Sequence, residues 1–481
     1  MTLKKQAVSG IKWQVAVSML QRVVSFATTI VLARKLGPSV YGLFAFAIVI
    51  VGSFELFKSM GVDAALVRRK DDFERAANTA FIIIPILGLS LYLLLNISSS
   101  FLGKYLNNME VIPIIRVLGI TFVIGCFTKV PVISLERNMQ FKKISIAEIV
   151  STVVFSISAI VLVHLNYGIW TLVDSYIART IVYVSLVWYL SKWKPSFSYD
   201  KKIAKELFKF GKFVFLTSTL WFLKMNLDNI LVGKMLGATM LAFYAVAFNI
   251  SNFGADYFGG RVYRVMYPAY SKLQNDKDGL QKAFLKVLKY ISLVAVPLAL
   301  GTFFFGSDFI RLAYGEKWME AVPVMKILSS IALFNLIPVA TDSAFMAIGK
   351  PNLSFWSALI QVFMFFAFVP PAAKMIGLIG VGIVVSLAAF IAMLMQIVLV
   401  MKCLTITVKQ VMNSIYPSIM ASIVMVSVVR IFRYSSTLVV LEKNMKYIFI
   451  PEFVLAGLIY FSVLYVTNRL IVREMREMVR P

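Results

Sequence analysis

A segment of eighteen residues occurs twice in this chain, 200 positions apart and in the same register. ARKLGPSVYGLFAFAIVI, from Ala33 to Ile50, returns as GKMLGATMLAFYAVAFNI, from Gly233 to Ile250. Each copy predicts an apolar helix that ends near a basic residue, a tight turn at Leu-Gly, and a second apolar helix rich in small residues. A duplicated helix pair at this separation indicates two homologous halves of about 200 residues each, related by internal symmetry.

The composition places this duplication in a membrane. Of 481 residues, 60% are hydrophobic, and the mean hydropathy is +0.83, whereas soluble domains are about 45–50% apolar. The net charge of +26 would suggest nucleic acid in a soluble protein, but the positive-inside rule explains most of it here. A single histidine, His164, and two isolated cysteines exclude zinc–histidine sites, histidine-based triads and a disulfide framework.

Apolar runs of roughly 20 residues predict fourteen transmembrane helices. The chain is therefore expected to be an all-α integral membrane protein, with two homologous six-helix lobes around a central cavity and two appended C-terminal helices. The predicted cores are 11–33, 41–60, 79–98, 112–135, 145–163, 168–190, 213–233, 239–259, 287–305, 321–345, 353–373, 376–401, 411–429 and 447–468.

These cores predict a first lobe at 1–200, a second at 201–405, and helices 13 and 14 with a cytoplasmic tail at 406–481. Loops assigned to the cytoplasm hold 29 Lys and Arg residues, against 11 in the outward loops. Both termini are therefore expected in the cytoplasm. The first apolar segment is too long for a cleaved signal peptide, so it is expected to be retained.

The predicted loops argue against catalysis. The longest polar links, 191–212 and 260–286, are both assigned to the inner side. The first contains KKIAKELFKFGKF, which predicts a basic amphipathic helix along the membrane surface. No outward loop is large enough to hold the catalytic or acceptor sites of a glycan polymerase or glycosyltransferase, and no Walker A motif is present. An enzyme is therefore not expected.

Ionisable residues within predicted spans are costly and usually face a partner or an aqueous cavity. Arg22 lies near the middle of the first span, which favours a cavity role over a structural ion pair. Lys58 lies near the inner end of the second span, where it could bind substrate, extend to the interface or pair with Glu55 one turn away. Arg261 and Arg264 occupy the corresponding place in the second half. Together with the basic residues of the first half they would suit a diphosphate headgroup, and ordinary membrane anchoring is the alternative.

Polar residues in helices 7 and 8 are the remaining candidates. Lys224 and Asp228 are spaced for an intrahelical pair, or Asp228 could bind a cation during transport. Asn249, Asn252 and Asp256 form a polar stripe that is expected to line the same cavity, and Asp228 and Asp256 are the candidate residues if transport is coupled to an ion.

Eight motifs then occur in an order that resembles a known family. They are ARKLGPSVYGLFAFA, LVRRK, LERNMQFKK and GIWTLV in the first half, and DNILVGKMLG, VMYPAYSKLQND, YGEKW and AIGKPNLSF in the second. Together they resemble the polysaccharide transporters of the MOP flippase superfamily, in particular the Wzx-type exporters. QRVVSFA, residues 21–27, is also similar to a first-helix segment of the lipid II flippase, in which the residue matching Arg22 is a cavity arginine. That flippase has a further arginine where this chain has Thr28, and its helix 2 arginine falls near Lys58.

This resemblance implies transport of an undecaprenyl-pyrophosphate-linked oligosaccharide repeat unit from the inner to the outer leaflet of the bacterial cytoplasmic membrane, by alternating access. The predicted partners are that lipid-linked oligosaccharide, membrane lipids and polysaccharide polymerase or assembly proteins. No cofactor is expected beyond possible H⁺ or Na⁺ coupling. An ion-coupled small-molecule antiporter of the multidrug type is the alternative.

Overall fold

The computed structural model describes residues 3–69, 71–105, 108–437 and 445–467. These ranges are almost entirely helical, and no β-strand occurs within them. The chain divides into two units, residues 1–242 and 243–481. The predicted lobe boundaries at 200 and 405 stay a prediction, and the predicted tail, 469–481, lies outside the described residues.

In its described residues, the first unit contains eight complete helices. They are α1 Leu3–Glu55, α2 Val62–Arg68, α3 Phe73–Tyr105, α4 Val111–Cys126, α5 Lys129–Arg137, α6 Phe141–His164, α7 Trp170–Ser191 and α8 Lys201–Leu236. Helix α9, Ala238–Lys272, begins in the first unit and continues into the second. The second unit adds α10 Lys277–Ala313, α11 Ala321–Leu328, α12 Ile331–Ala347, α13 Asn352–Ile376, α14 Leu378–Leu404, α15 Val408–Thr437 and α16 Met445–Thr467.

The membrane prediction is confirmed. Among the described residues, nine helices are long and apolar enough to cross a bilayer. Helices α4 and α5, which meet at an angle of 42°, make a tenth span if they are counted together. Every one of the fourteen predicted cores overlaps a helix. The fold is therefore all-α and consistent with the predicted count.

The duplicated turn has the same backbone conformation in both copies. Gly37 has φ 77° and ψ 173°, and Gly237 has φ 88° and ψ 173°. Side-chain-bearing residues rarely adopt this region. A Cβ added at either glycine would meet no atom within 4 Å. Backbone conformation, not lack of space, therefore accounts for glycine at both turns.

Replacing Gly37 or Gly237 by alanine is expected to destabilise the folded protein by roughly 1–3 kcal/mol through backbone strain alone. Thermal unfolding of purified protein in detergent measures the effect. Gly301→Ala is the matched control, because Gly301 lies inside a helix with open space around it. Equal stability of the control and the two turn variants would contradict the conformational explanation.

Small residues in the repeat also allow close helix packing within the first unit. A Cβ on Gly42 would lie 1.9 Å from the carbonyl oxygen of Ala238, and a Cβ on Gly233 would lie 2.6 Å from the ring of Phe46. Each copy of the motif therefore supplies a glycine on which the other copy packs. Such close approach is typical of helix pairs in membranes.

Helix α8 corrects one prediction. Residues 201–212 do not form a separate surface helix, because α8 runs without interruption from Lys201 to Leu236. Its first turns are amphipathic, with Ile203 and Leu207 buried against α2 and α3. The Asp200 side chain caps the helix by accepting hydrogen bonds from the backbone N–H groups of Ile203 and Lys202. These hydrogen bonds lower the pKa of its carboxyl group. The second predicted link, 260–286, is also mostly helical, since only residues 273–276 separate α9 from α10.

Candidate functional site

A cavity of about 290 Å³ lies within the first unit, between the end of α1 and helices α4, α5 and α7. Its wall combines both signs of charge with hydroxyl and aromatic groups. The lining residues include Glu55, Lys58, Lys129, Thr121, Tyr176 and Tyr183. This mixture suits a ligand that carries both anionic and hydroxyl groups, because charged and hydroxyl side chains can each bind their counterpart.

Lys58 lies on a turn and not on a helix, unlike the predicted span 41–60. Helix α1 ends at Glu55, and Met60 and Gly61 then have positive φ angles of 45° and 76°. The backbone of Gly61 lies directly on α8, since an added Cβ would come within 2.3 Å of the carbonyl oxygen of Gly211. This backbone contact holds the turn that carries Lys58.

The side chain of Lys58 is buried in the cavity wall. Its Nζ donates a hydrogen bond to Glu55 Oε1 at 3.3 Å, so the predicted ion pair is present. Only 8% of the Lys58 side chain is exposed, against 47% for Glu55. A Cβ on Gly125 of α4 would lie 2.5 Å from Nζ, so glycine at this position leaves room for the ammonium group. The Lys58 side chain therefore does not extend to a polar interface.

A second ion pair lies beside this cavity. Lys129 Nζ donates to Asp63 Oδ2 at 3.3 Å and links α5 to α2. The two residues are 66 positions apart, and no local pattern joins them. Sequence reasoning therefore missed the pair, and it missed Gly125 and Gly211 for the same reason.

The other predicted residues of the first unit lie elsewhere. Arg22 is exposed on α1 and does not line the cavity described above. Lys224 Nζ lies 5.0 Å from the centre of the Trp221 ring. Asp228 is buried and accepts hydrogen bonds from the backbone and side-chain N–H groups of Asn229. The proposed Lys224–Asp228 pair stays a prediction.

In the second unit, three polar residues form a chain of hydrogen bonds. Asn335 Nδ2 of α12 donates to Asn252 Oδ1 at 2.8 Å, and Asn252 Nδ2 donates to Asp256 Oδ1 at 2.7 Å. The predicted stripe thus brings Asn252 and Asp256 together, whereas Asn249 is exposed one turn earlier. Asn335 was not predicted, although an asparagine within an apolar span is a recognisable signal.

Arg261 and Arg264 lie further along the same helix. The guanidinium of Arg261 stacks 4.0 Å from the centre of the Tyr257 ring and donates to the carbonyl oxygen of Tyr257. Its Nε is buried and has no hydrogen-bond partner among the described residues, so this N–H remains available to an acceptor. Arg264 is exposed, and its Nε donates to the carbonyl oxygen of Gly260 at 3.2 Å.

The predicted site residues therefore divide between the two units. Arg22, Lys58, Lys224 and Asp228 belong to residues 1–242, and the other five belong to residues 243–481. Within each unit some of them come together, as Lys58 does with Glu55 and Asn252 with Asp256. A cavity that all nine residues share stays a prediction.

Comparison with known proteins gives the family. Residues 31–323, more than half of the chain, match the model of a family described as polysaccharide biosynthesis protein. The chain belongs to the polysaccharide biosynthesis protein family. This membership confirms the family resemblance that the eight motifs indicated.

The chain is also similar to named relatives and to a solved structure. The chain is 23% identical over 418 residues to the lipopolysaccharide biosynthesis protein WzxC of Escherichia coli, covering 86% of this chain and 84% of WzxC. It is 22% identical over 339 residues to the succinoglycan biosynthesis transport protein ExoT of Rhizobium meliloti, covering 70% and 68%. The structure of the lipid II flippase MurJ aligns with a TM-score of 0.74 and 16% identity, over 94% of this chain and 100% of MurJ. This polysaccharide biosynthesis protein therefore has the MurJ fold.

Proposed function

We infer that this protein moves an undecaprenyl-pyrophosphate-linked oligosaccharide repeat unit from the inner to the outer leaflet of a bacterial cytoplasmic membrane. The observation that carries the proposal is the family match over residues 31–323. ExoT is named as a transport protein and MurJ as a flippase, which supports transport over synthesis. The chain is accordingly proposed to be a transporter and not an enzyme, with both termini in the cytoplasm.

The physical task is to carry a charged headgroup through hydrocarbon while the prenyl tail stays in lipid. Moving an ionised group into an apolar medium without compensation is prohibitively costly, so the protein must supply cations and hydrogen bonds. In the first unit, the Lys58 ammonium meets this need, because it is buried and lies at the wall of a 290 Å³ cavity. In the second unit, the buried Arg261 Nε offers a donor without a partner among the described residues.

These groups have separate proposed roles. Arg22, Lys58, Arg261 and Arg264 neutralise the diphosphate through charge-assisted hydrogen bonds. Asn249, Asn252 and neighbouring aromatic rings contact the sugars. Lys224, Asp228 and Asp256 add polar groups along the path. Alternating access then transfers the headgroup, and polysaccharide polymerase or assembly proteins receive it on the other side.

Charge reversal at Arg22 separates this proposal from a small-molecule cation antiporter. Arg22→Glu is expected to abolish glycolipid export, because a carboxylate on α1 repels a diphosphate. An in vivo assay of surface polysaccharide, normalised to the amount of membrane-inserted protein, measures the effect. Arg22→Lys retains the charge and should retain export. Full export by the Arg22→Glu protein would remove Arg22 from the groups that bind the diphosphate, and surface polysaccharide that does not depend on the protein at all would favour the cation antiporter.

Gene deletion in the native host tests the proposal as a whole. Lipid-linked glycans are extracted, identified by mass spectrometry and assigned to a leaflet with a membrane-impermeant label. A complete repeat unit trapped on the cytoplasmic leaflet is the expected result. Unchanged glycolipids in a host that has no second exporter would reject the flippase function.

A further inference from the structure

A cluster of three ionisable residues, with two buried carboxyl groups and a partly exposed arginine, joins helices α10, α15 and α16 in the second unit. Arg433 of α15 binds Asp308 of α10 with two hydrogen bonds, NH1 to Oδ2 at 2.5 Å and NH2 to Oδ1 at 3.1 Å. Glu452 of α16 lies on the third side of the guanidinium, with its Oε1 3.9 Å from Arg433 Nε. A single arginine therefore faces two carboxyl groups.

The two carboxyl groups have unequal surroundings. Both oxygens of Asp308 accept hydrogen bonds from Arg433. Glu452 is 2% exposed, and its Oε1 has no hydrogen-bond partner among the described residues. Val429 and Ala456, one helical turn from Arg433 and Glu452 respectively, belong to an apolar core cluster. An ionised Glu452 would thus lie in apolar surroundings without a hydrogen bond to that oxygen, which is costly.

Two other arginines and one tyrosine on these helices have separate partners. Arg430, one turn before Arg433, lies over the ring of Phe304 at 4.7 Å from its centre. Arg311 on α10 pairs with Glu316 at 3.0 Å. The hydroxyl of Tyr460 on α16 donates to the carbonyl oxygen of Leu293. Among the described residues, the charged groups that interact with Glu452 are thus Arg433 and Asp308.

With both carboxyl groups ionised, the cluster would carry a net charge of −1 in a membrane protein core. We propose that Glu452 is a proton-binding site, so that Asp308 is the carboxylate paired with Arg433 and Glu452 is held as the neutral acid. Sodium is a poorer fit, because an alkali cation needs several oxygen ligands to replace its hydration shell. Both oxygens of Asp308 are already engaged with the guanidinium.

This site differs from the acids that the sequence suggested for ion coupling. Asp228 accepts hydrogen bonds from the N–H groups of Asn229, and Asp256 accepts one from Asn252, whereas Glu452 Oε1 has no hydrogen-bond partner among the described residues. Release of the proton from Glu452 would instead add a charge between three helices and weaken their packing. If the proposed flippase function holds, a proton gradient can act on transport at this cluster.

Labelling with dicyclohexylcarbodiimide tests the site without requiring transport, because this apolar reagent attacks protonated carboxyl groups in apolar surroundings. The full-length protein is labelled in lipid nanodiscs at a series of pH values, and the modified residues are mapped by mass spectrometry. Glu452 is expected to be labelled at neutral pH, with a rate that falls as the pH rises. The exposed Glu316 serves as an internal control and should remain unlabelled. Absence of label on a recovered Glu452 peptide, even at acidic pH, would overturn the proposal.

Two further arms separate the alternatives. Protection of Glu452 by sodium chloride but not by choline chloride would replace the proton site with a sodium site. In proteoliposomes, Glu452→Gln should abolish the acceleration of transport by a proton gradient and leave exchange without a gradient intact. An unchanged response to the gradient would overturn the coupling role. Labelling of Glu452 in a protein that moves no lipid-linked glycan would reject the proposed function and support the proton site.

Discussion

Replacement of Lys58 by glutamine is expected to abolish glycolipid export while the protein still folds. The charge pair in question is the Lys58 ammonium with the diphosphate that it is proposed to bind. Truncating one partner of a buried, hydrogen-bonded charge pair costs roughly 2–5 kcal/mol, which corresponds to a loss of about 30-fold to about 4,000-fold in headgroup affinity. The loss should be large because the Lys58 ammonium is buried, so water cannot replace it. Binding of purified lipid-linked oligosaccharide to the detergent-solubilised protein measures the affinity directly.

Two variants determine whether position and charge both matter at this site. Lys104→Gln removes a lysine from the exposed end of α3 and should leave affinity unchanged, which controls for overall charge. Gly125→Ala keeps the charge but places a Cβ 2.5 Å from the present position of Lys58 Nζ, so it should displace the ammonium and weaken binding. Wild-type affinity in the Lys58→Gln protein would remove Lys58 from the substrate site.

Replacement of Arg433 by glutamine is expected to produce the largest loss of stability in the second unit. Asp308 would lose both guanidinium hydrogen bonds and remain as a buried anion without its partner. The Arg433 side chain is 36% exposed, so the loss is expected near the lower end of the roughly 3–5 kcal/mol that breaking a buried pair costs. Thermal unfolding of the detergent-solubilised protein measures the loss. Arg430→Gln, one turn away on the same helix and exposed, is the matched control and should have little effect.

A compensating substitution tests the cause of that loss. Adding Asp308→Asn to Arg433→Gln removes the isolated charge and should recover much of the lost stability, because neither remaining group is ionised. If the double variant is as unstable as Arg433→Gln alone, packing of the arginine stem and not charge pairing accounts for the effect.

Local and repeated features of this chain could be predicted from the sequence. The Leu-Gly turn was predicted in both copies, and Gly37 and Gly237 adopt nearly identical backbone angles. The apolar runs likewise predicted helices, since run length and hydropathy are properties of adjacent residues. The Glu55–Lys58 contact was predicted for the same reason, because the two residues are one turn apart.

Features that depend on distant residues could not be predicted. Asp63 and Lys129 meet only because α2 packs near α5, and the break after Glu55 depends on the backbone contact of Gly61 with Gly211. The Asp308–Arg433–Glu452 cluster joins three helices across more than 140 positions. The sequence marks Glu452 as an ionisable residue in an apolar run, but only the packing shows which arginine it faces.

Reconstitution of the purified protein with lipid-linked oligosaccharide from its host tests the flippase function most directly. In sealed vesicles, a membrane-impermeant reagent that cleaves the glycan consumes only the outer-leaflet share unless a protein moves the rest outward. Vesicles that contain the wild-type protein should expose nearly all of the glycolipid, whereas vesicles with Lys58→Gln should behave like empty ones. Wild-type vesicles that expose no more glycolipid than empty vesicles, with the protein folded and inserted, would contradict the function proposed for this chain.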